Sequence, residues 1–469
     1  MSARDGASGA QAPLAGSPAT GDTVAGQTTP RPWAAFAHPD FTWLWLGGVT
    51  ATVTMLLRTL ISAQWLYDET GSAAQLGILS LIQFIQMPVV VYGGALADNF
   101  DRKKLMALTQ LVAFLSLLPI TLLAAADRLQ PWHIFAVTGV SGVVNMLGNS
   151  ARPAMVSRVV PRHLVGNAVA TNTATWQVAG VIAPLAFALF YEAFGVTTAF
   201  AVSTAIAGAS TVMPFLIRVS GEPQGGARRT TWKSITEGFS FVRTHRILPG
   251  LYLLDIGVTV VSFYRTLFPI FADQLYGMGA AAVGPLNAAN SIGGVAGSFV
   301  VYGTNSFRRK GVLVLFFTLA YALLLFAFGF NRAGPEDPVY TWRLALFDFR
   351  FSSAFLLGLL IVFGLGMTDA VSMVMRQTIV QLTTPDKLLG RASSAHSFAA
   401  MGANNLGGVE VAFMSGAVGA GPTMVLGGAV SVVVVVLIAW GVKGIRKYRY
   451  DPANPYEAYE GGKPPPVSS

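Results

Sequence analysis

The sequence predicts an all-α integral membrane protein of twelve transmembrane helices in two pseudo-symmetric six-helix bundles. Three observations carry that prediction. Of the 469 residues 53% are hydrophobic and 11% charged, with a mean hydropathy of +0.55, whereas soluble domains carry roughly 25% charged residues. The apolar runs are about 20 to 26 residues long, enough to cross a hydrocarbon core of roughly 30 Å as helices and too continuous for barrel strands. The second half of the chain also repeats the first.

Taken in order, residues 1–38 are rich in Ala, Gly, Ser, Thr and Pro without the apolar core of a signal peptide, and read as a disordered cytosolic tail. Six spans follow in the 39–218 bundle: Phe41 to Leu66, Ala74 to Ala97, Lys104 to Ala126, Trp132 to Ser150, Val165 to Phe190 and Thr197 to Ile217. A basic polar linker, 219–246, contains the run GEPQGGARRT and separates the halves. The 247–445 bundle then has spans Ile247 to Ala272, Ala280 to Tyr302, Gly311 to Phe330, Ser352 to Met375, Arg391 to Gly416 and Gly421 to Val442, before a cytosolic tail, 446–469. Lys and Arg accumulate in short cytoplasmic loops. With both termini cytosolic, the outer loops hold only Arg128, Arg332, Arg343 and Arg350.

An offset of 207 residues lays Arg58-Thr59-Leu60 on Arg265-Thr266-Leu267, Gly77 on Gly284, and Arg102-Lys103 on Arg309-Lys310. An offset of 224 lays Arg152 on Arg376, Asn145 on Asp369, Pro161 on Pro385 and Asn172 on His396. An added stretch near Asn331 to Arg350 accounts for the difference between the offsets, and reads either as an outer cap or as a tolerated loop. Two copies of an even number of spans share one topology and are related by an axis along the membrane normal.

The loop Gly93 to Lys104, GGALADNFDRKK, places Asp98 and three consecutive cations between two apolar runs. Charges are costly in hydrocarbon, so this is a short water-facing loop. Its pattern resembles the signature loop between helices 2 and 3 of the major facilitator superfamily. With WLYDETGSAAQLGILSLIQF from Trp65 and ARPAMVSRVVPRHLVGNAVATN from Ala151, the chain resembles the enterobactin-exporter-like, drug-efflux branch of that family. That resemblance implies a major facilitator fold and proton-driven export of drugs, siderophores or metabolites across a bacterial inner membrane. Two positions depart from the family loop, Asn99 and Asp101, and the Gly-rich antiporter-type motif of span 5 is reduced to Gly180, Ala183 and Pro184.

The same resemblance implies that Asp98 gates the cytosolic side against the start of span 11, at Arg391. A carboxylate at the positive N-terminus of a facing helix supplies the physics; the bland reading is a solvated loop acid. Arg102 and Lys103 accompany it either as gate partners or as orientation charges. Arg58 and Arg265 stand about 25 Å from the cytosolic end of their spans by helical rise. Each either faces an aqueous cavity or snorkels to the outer interface. Proton coupling needs a titratable group within the spans, and Asp369, Glu410, His396 and Asp255 are the candidates, although Asp369 has Arg376 two turns on as a simple ion-pair partner. Asn145, Trp176 and Tyr264 join Arg58 and Arg265 as candidate cavity residues, against a plain packing role for the aromatics.

Zero Cys removes thiolate chemistry, and no GxxxxGK[ST], HExxH or GxSxG element occurs, so the reading is a transporter and not an enzyme, with no cofactor and no metal. The net charge of +9 lies in short clusters between spans, which suits membrane orientation and not a nucleic-acid partner. The expected function is proton-coupled export of a small organic molecule by a monomer in the bilayer. Uptake by proton symport is the alternative within transport, and a non-transporting receptor or scaffold the alternative outside it.

Overall fold

The structure, a computed structural model, describes residues 33–89, 100–148, 151–222, 232–304, 307–344, 347–384 and 386–449. Asp98 lies outside the described residues. The N-terminal half comprises α1 (Pro39–Thr70), α2 (Ala73–Gln86), α3 (Arg102–Ala125), α4 (Pro131–Gly148), α5 (Ala151–Val159) and α6 (Val165–Leu216). The linker carries α7 (Trp232–Thr244). The C-terminal half comprises α8 (Leu248–Ser262), α9 (Phe268–Gln274), α10 (Ala280–Gly303), α11 (Lys310–Phe330), α12 (Ser353–Thr383), α13 (Asp386–Val418), α14 (Ala420–Gly441) and α15 (Lys443–Lys447).

Among the described residues eight helical segments are individually long and apolar enough to cross a membrane, and each of the twelve expected spans has a helical counterpart. Spans 5 and 6 are the two arms of α6, which turns at Gly195 with φ 78°, a backbone conformation open to glycine at no steric cost. Helices α10 and α13 fall outside the apolar set because they are rich in Gly, Ala, Asn and Ser. These are the helices that meet the other half, α10 on α6 and α13 on α2. Small side chains let helix backbones approach closely where lipid offers no hydrophobic drive for association.

Span 7 does not run as one helix, as the sequence reading has it. It stops at Ser262, passes through a 3-10 turn, Tyr264–Leu267, and resumes as α9. The backbone leaves the helix at Phe263 (φ −75°, ψ 72°), and Pro269 stands in the first turn of α9, where its missing N–H is tolerated; the Arg265 carbonyl accepts the Phe268 amide instead. The repeat counterpart of Pro269 is Ser62, and α1 runs straight through. At the break, the Tyr321 hydroxyl donates to the freed carbonyl of Ser262 at 3.0 Å, which meets the requirement that backbone polar groups inside a bilayer be paired.

The insertion between α11 and α12 folds as an antiparallel hairpin, β1 (Val339–Leu344) on β2 (Phe347–Ser352), with Val339 opposite Ser352 and Leu344 opposite Phe347. At this hairpin end a single buried cluster draws on both halves, with Leu66, Leu76 and Phe187 packed together with Phe268, Phe271 and Val411. Toward the opposite, basic end the halves keep separate clusters, one around Phe41, Met155 and Ile217 and the other around Leu248, Ile379 and Ile445. Among the described residues both hydrogen bonds between halves also lie at the hairpin end, Tyr67 hydroxyl to Asp273 at 3.0 Å and the Ala281 amide to Glu192 at 2.9 Å. Among the described residues the halves are therefore joined at the hairpin end, while their buried clusters at the basic end stay separate.

Linker helix α7 belongs to the C-terminal half, burying Phe241 and Val242 in its cluster. At its end the His245 Nδ1 accepts the amides of Ile247 and Leu248, both at 3.2 Å, and so caps α8. Burial pushes that imidazole down from the usual 6.5 to about 4. A depressed value means that the unfolded state binds the proton first, so this contribution is full above about pH 6.5 and is lost as pH falls towards about 4. Unfolding temperatures recorded across that window should fall on acidification in the parent chain, and less steeply in His245→Gln.

In the C-terminal half α10 and α12 approach closely: a Cβ added at Gly366 would overlap the carbonyl oxygen of Asn290, and one at Gly293 the carbonyl of Phe363. Overpacking of this kind costs about 1–3 kcal/mol. Gly366→Val should lower the unfolding temperature measurably, whereas Gly303→Ala, with open space around it, should leave it in place.

Candidate functional site

Two cavities lie between and within the halves. The larger, about 770 Å³, lies between the halves and is lined from α1, α2 and α6 on one side and from α8, the 3-10 turn, α10, α12 and α13 on the other. The smaller, about 560 Å³, lies within the N-terminal half among α1, α3, α4, α5 and α6. Both have the size of small-molecule sites. Trp176, halfway along the first arm of α6, borders both.

The break in span 7 places Arg265 in the larger cavity, where its guanidinium meets the Asp369 carboxylate at 3.3 Å. The side chains of this pair are 46% and 42% exposed, so water and solutes reach it. A second pair, Arg376 to Asp255 at 2.8 Å, borders the same cavity but is 8% and 9% exposed. Arg376 Nη1 also donates to the Ser372 hydroxyl at 3.1 Å, and Ser372 in turn bonds Thr318. The expected alternative, Asp369 paired with Arg376, is therefore corrected. Two helical turns separate those residues by about 10 Å along one axis, while Asp255 approaches Arg376 from α8.

His396 is buried against the Tyr252 ring, centroids 5.0 Å apart, and borders the larger cavity beside these pairs. Glu410, further along α13, borders neither cavity, and its Oε2 is buried without a hydrogen-bond partner. Tyr264, 2% exposed, borders the larger cavity, and it bonds Asn290 and stacks edge-on with Phe268 at the 3-10 turn. Arg58 and Asn145 line the smaller cavity. Both intramembrane arginines thus face cavities, not the interface.

At the basic end, Asp101 caps α3, its carboxylate accepting the amides of Lys103 at 2.8 Å and Lys104 at 3.2 Å. This gives a physical reason for an acid where the family loop has glycine. Arg102 reaches the carbonyl of Ala154 at 3.5 Å and Lys103 that of Ile217, so both cations bind their own half. Arg391 pairs with Glu237 of linker helix α7 at 2.9 Å, a partner the sequence reading missed. Glu237 falls on the polar face of an amphipathic run, which was the available signal.

The family model described as "Major Facilitator Superfamily" matches residues 43–347. The chain belongs to the Major Facilitator Superfamily, and it is a multi-pass membrane transporter, not an enzyme. It is 26% identical over 422 residues to the enterobactin exporter EntS of Escherichia coli O81 (strain ED1a), covering 88% of this chain and 94% of that protein. The identity and coverage are the same for the EntS of Shigella boydii serotype 18 (strain CDC 3083-94 / BS512). Among solved structures it is similar to the nucleoside transporter NupG, with TM-score 0.67, 12% identity and coverage of 86% and 99% of the two chains. A bacterial homologue of the human lysosomal transporter Spinster, in an inward-facing and occupied conformation, gives TM-score 0.63, 14% identity and coverage of 90% and 99%.

The two C-terminal ion pairs should respond differently to removal of their acids. An uncompensated buried charge costs about 3–5 kcal/mol, so Asp255→Ala should markedly lower the unfolding temperature of the purified protein. A half-exposed pair is worth about 0–1 kcal/mol, so Asp369→Asn should leave that temperature close to the parent value.

Proposed function

We propose that this transporter is a proton-coupled exporter of a small organic molecule, working by alternating access as a monomer in a bacterial inner membrane. The observation that carries the reading is the half-exposed Arg265–Asp369 pair in the cavity between the halves. Two groups of opposite charge in a water-accessible but low-dielectric site can be switched by one proton. Protonation of Asp369 removes the partner of Arg265 and leaves a cation to be satisfied by cargo or by rearrangement. Stability changes little when the pair breaks, which suits a group that cycles.

Closure at the hairpin end and separation at the basic end suit an inward-open resting state, with the basic end cytosolic by the distribution of Lys and Arg. Cargo then enters from the cytosol. The likeness to enterobactin exporters along 88% of the chain supports export as the direction. Asp98 and Arg391 are assigned to the cytosolic gate, Arg102 and Lys103 to holding its loop against the N-terminal half. His396, Asp255 and Glu410 are secondary coupling candidates: the first two border the ion-paired cavity, and the third holds an unpartnered carboxyl oxygen.

Inside-out vesicles with an acidified lumen test this reading, challenged with a panel of dyes, antibiotics and siderophores. A cargo of the parent protein should discharge the pH gradient, and Asp369→Asn should discharge it at a rate at least about tenfold lower. A cargo-driven change of the opposite sign would establish symport and uptake instead, and silence across the panel from folded protein would count against transport of these classes.

A further inference from the structure

The two halves hold the same pair of arginines in different company. The repeat offsets lay Arg58 on Arg265 and Arg152 on Arg376; they also lay Asn145 on Asp369 and Gly48 on Asp255. In the C-terminal half each arginine has a carboxylate, at 3.3 Å and 2.8 Å. In the N-terminal half neutral residues stand at both matching positions, beside both arginines. Arg58, Arg152, Asn145 and Gly48 all line the 560 Å³ cavity, whose described lining includes no Asp or Glu.

A guanidinium in a membrane interior is costly unless it is paired. Arg152 has one hydrogen bond, to the Gly47 carbonyl at 3.3 Å, and its Nε is buried without a partner. Arg58 has no carboxylate partner among the described residues. The omission is not steric at either position. A Cβ added at Gly48 would make only ordinary contacts with Arg152, at 3.5–3.6 Å, and Asn145 already has the shape of Asp. The scaffold that compensates its arginines with fixed acids in one half therefore leaves them open in the other.

We propose that this N-terminal cavity is the cargo's anion site, built for an amphipathic organic anion that takes up the positive charge left open at Arg58 and Arg152. A planar carboxylate matches the two-pronged donor geometry of a guanidinium. The apolar body of the ligand lies along Met55, Met106 and Trp176, which share the lining with the arginines. Trp176 also borders the larger cavity, which the Arg265–Asp369 pair lines. This names the cargo class of the transporter proposed above and rests on that reading for its role, but binding can be measured without a gradient.

Isothermal titration of the purified full chain in detergent with 2-naphthoate, against neutral 2-naphthamide, tests it. The carboxylate should bind, and the amide at least about tenfold more weakly. Asn145→Asp and Gly48→Asp, which recreate the acids of the other half, should each weaken naphthoate binding at least about tenfold while holding or raising the unfolding temperature. Arg58→Gln and Arg152→Gln should do the same to binding. Equal affinity for acid and amide, undiminished binding in the Asn145→Asp and Gly48→Asp chains, or no naphthoate binding by the parent would overturn the assignment. Naphthoate binding with no proton flux in vesicles would instead retain the anion site and remove the export reading.

Discussion

A low-dielectric interior in which every charge and every freed backbone group needs a partner governs this molecule. Span 7 breaks at Phe263, and a tyrosine from a neighbouring helix takes the Ser262 carbonyl that the break releases. Asp255 enters the cavity wall only with Arg376 on it and Ser372 and Thr318 behind. Arg265 stands on the 3-10 turn with Asp369 across from it. The same rule gives the N-terminal cavity its meaning, because there the arginines remain and the partners do not.

Gene-duplicated halves make that comparison internal. Each half supplies the reference state for the other, position by position, so a missing acid is visible as an absence against a matched background. Among the described residues the arginines of the larger cavity each face an acid, and the lining of the smaller cavity holds arginines without one. In the function proposed above, the wall that responds to protons and the wall that attracts the anion meet at Trp176, which lines both cavities.

Much of the fold was legible from apolar run length, loop cations and the repeat, since those are set by bilayer thickness and topology and need no tertiary information. The intramembrane arginines were legible for the same reason. Their partners were not. Arg265 and Asp369 are 104 residues apart, and helical spacing pointed Asp369 to Arg376 because it ranks neighbours on one helix and is blind to α8. Gly48 carries no signal until it is laid on Asp255. The β-hairpin had a signal, the alternation of β-forming residues in VYTWRL and FDFRFS, which a loop reading passed over. Glu237 was passed over because the linker was read only as a basic polar connector.

The difference between Ser62 and Pro269 has a mechanical side. Two struts that descend from a common ancestor now differ in kind: α1 is a continuous rod, and its counterpart is jointed a turn above its middle. In the alternating-access cycle proposed above, the rod transmits displacement along its full length, whereas the jointed strut concentrates bending over the few residues that carry Arg265. A change of charge at that residue therefore acts directly on the hinge, without a lever between them, and the movement of the two halves is unequal from the outset.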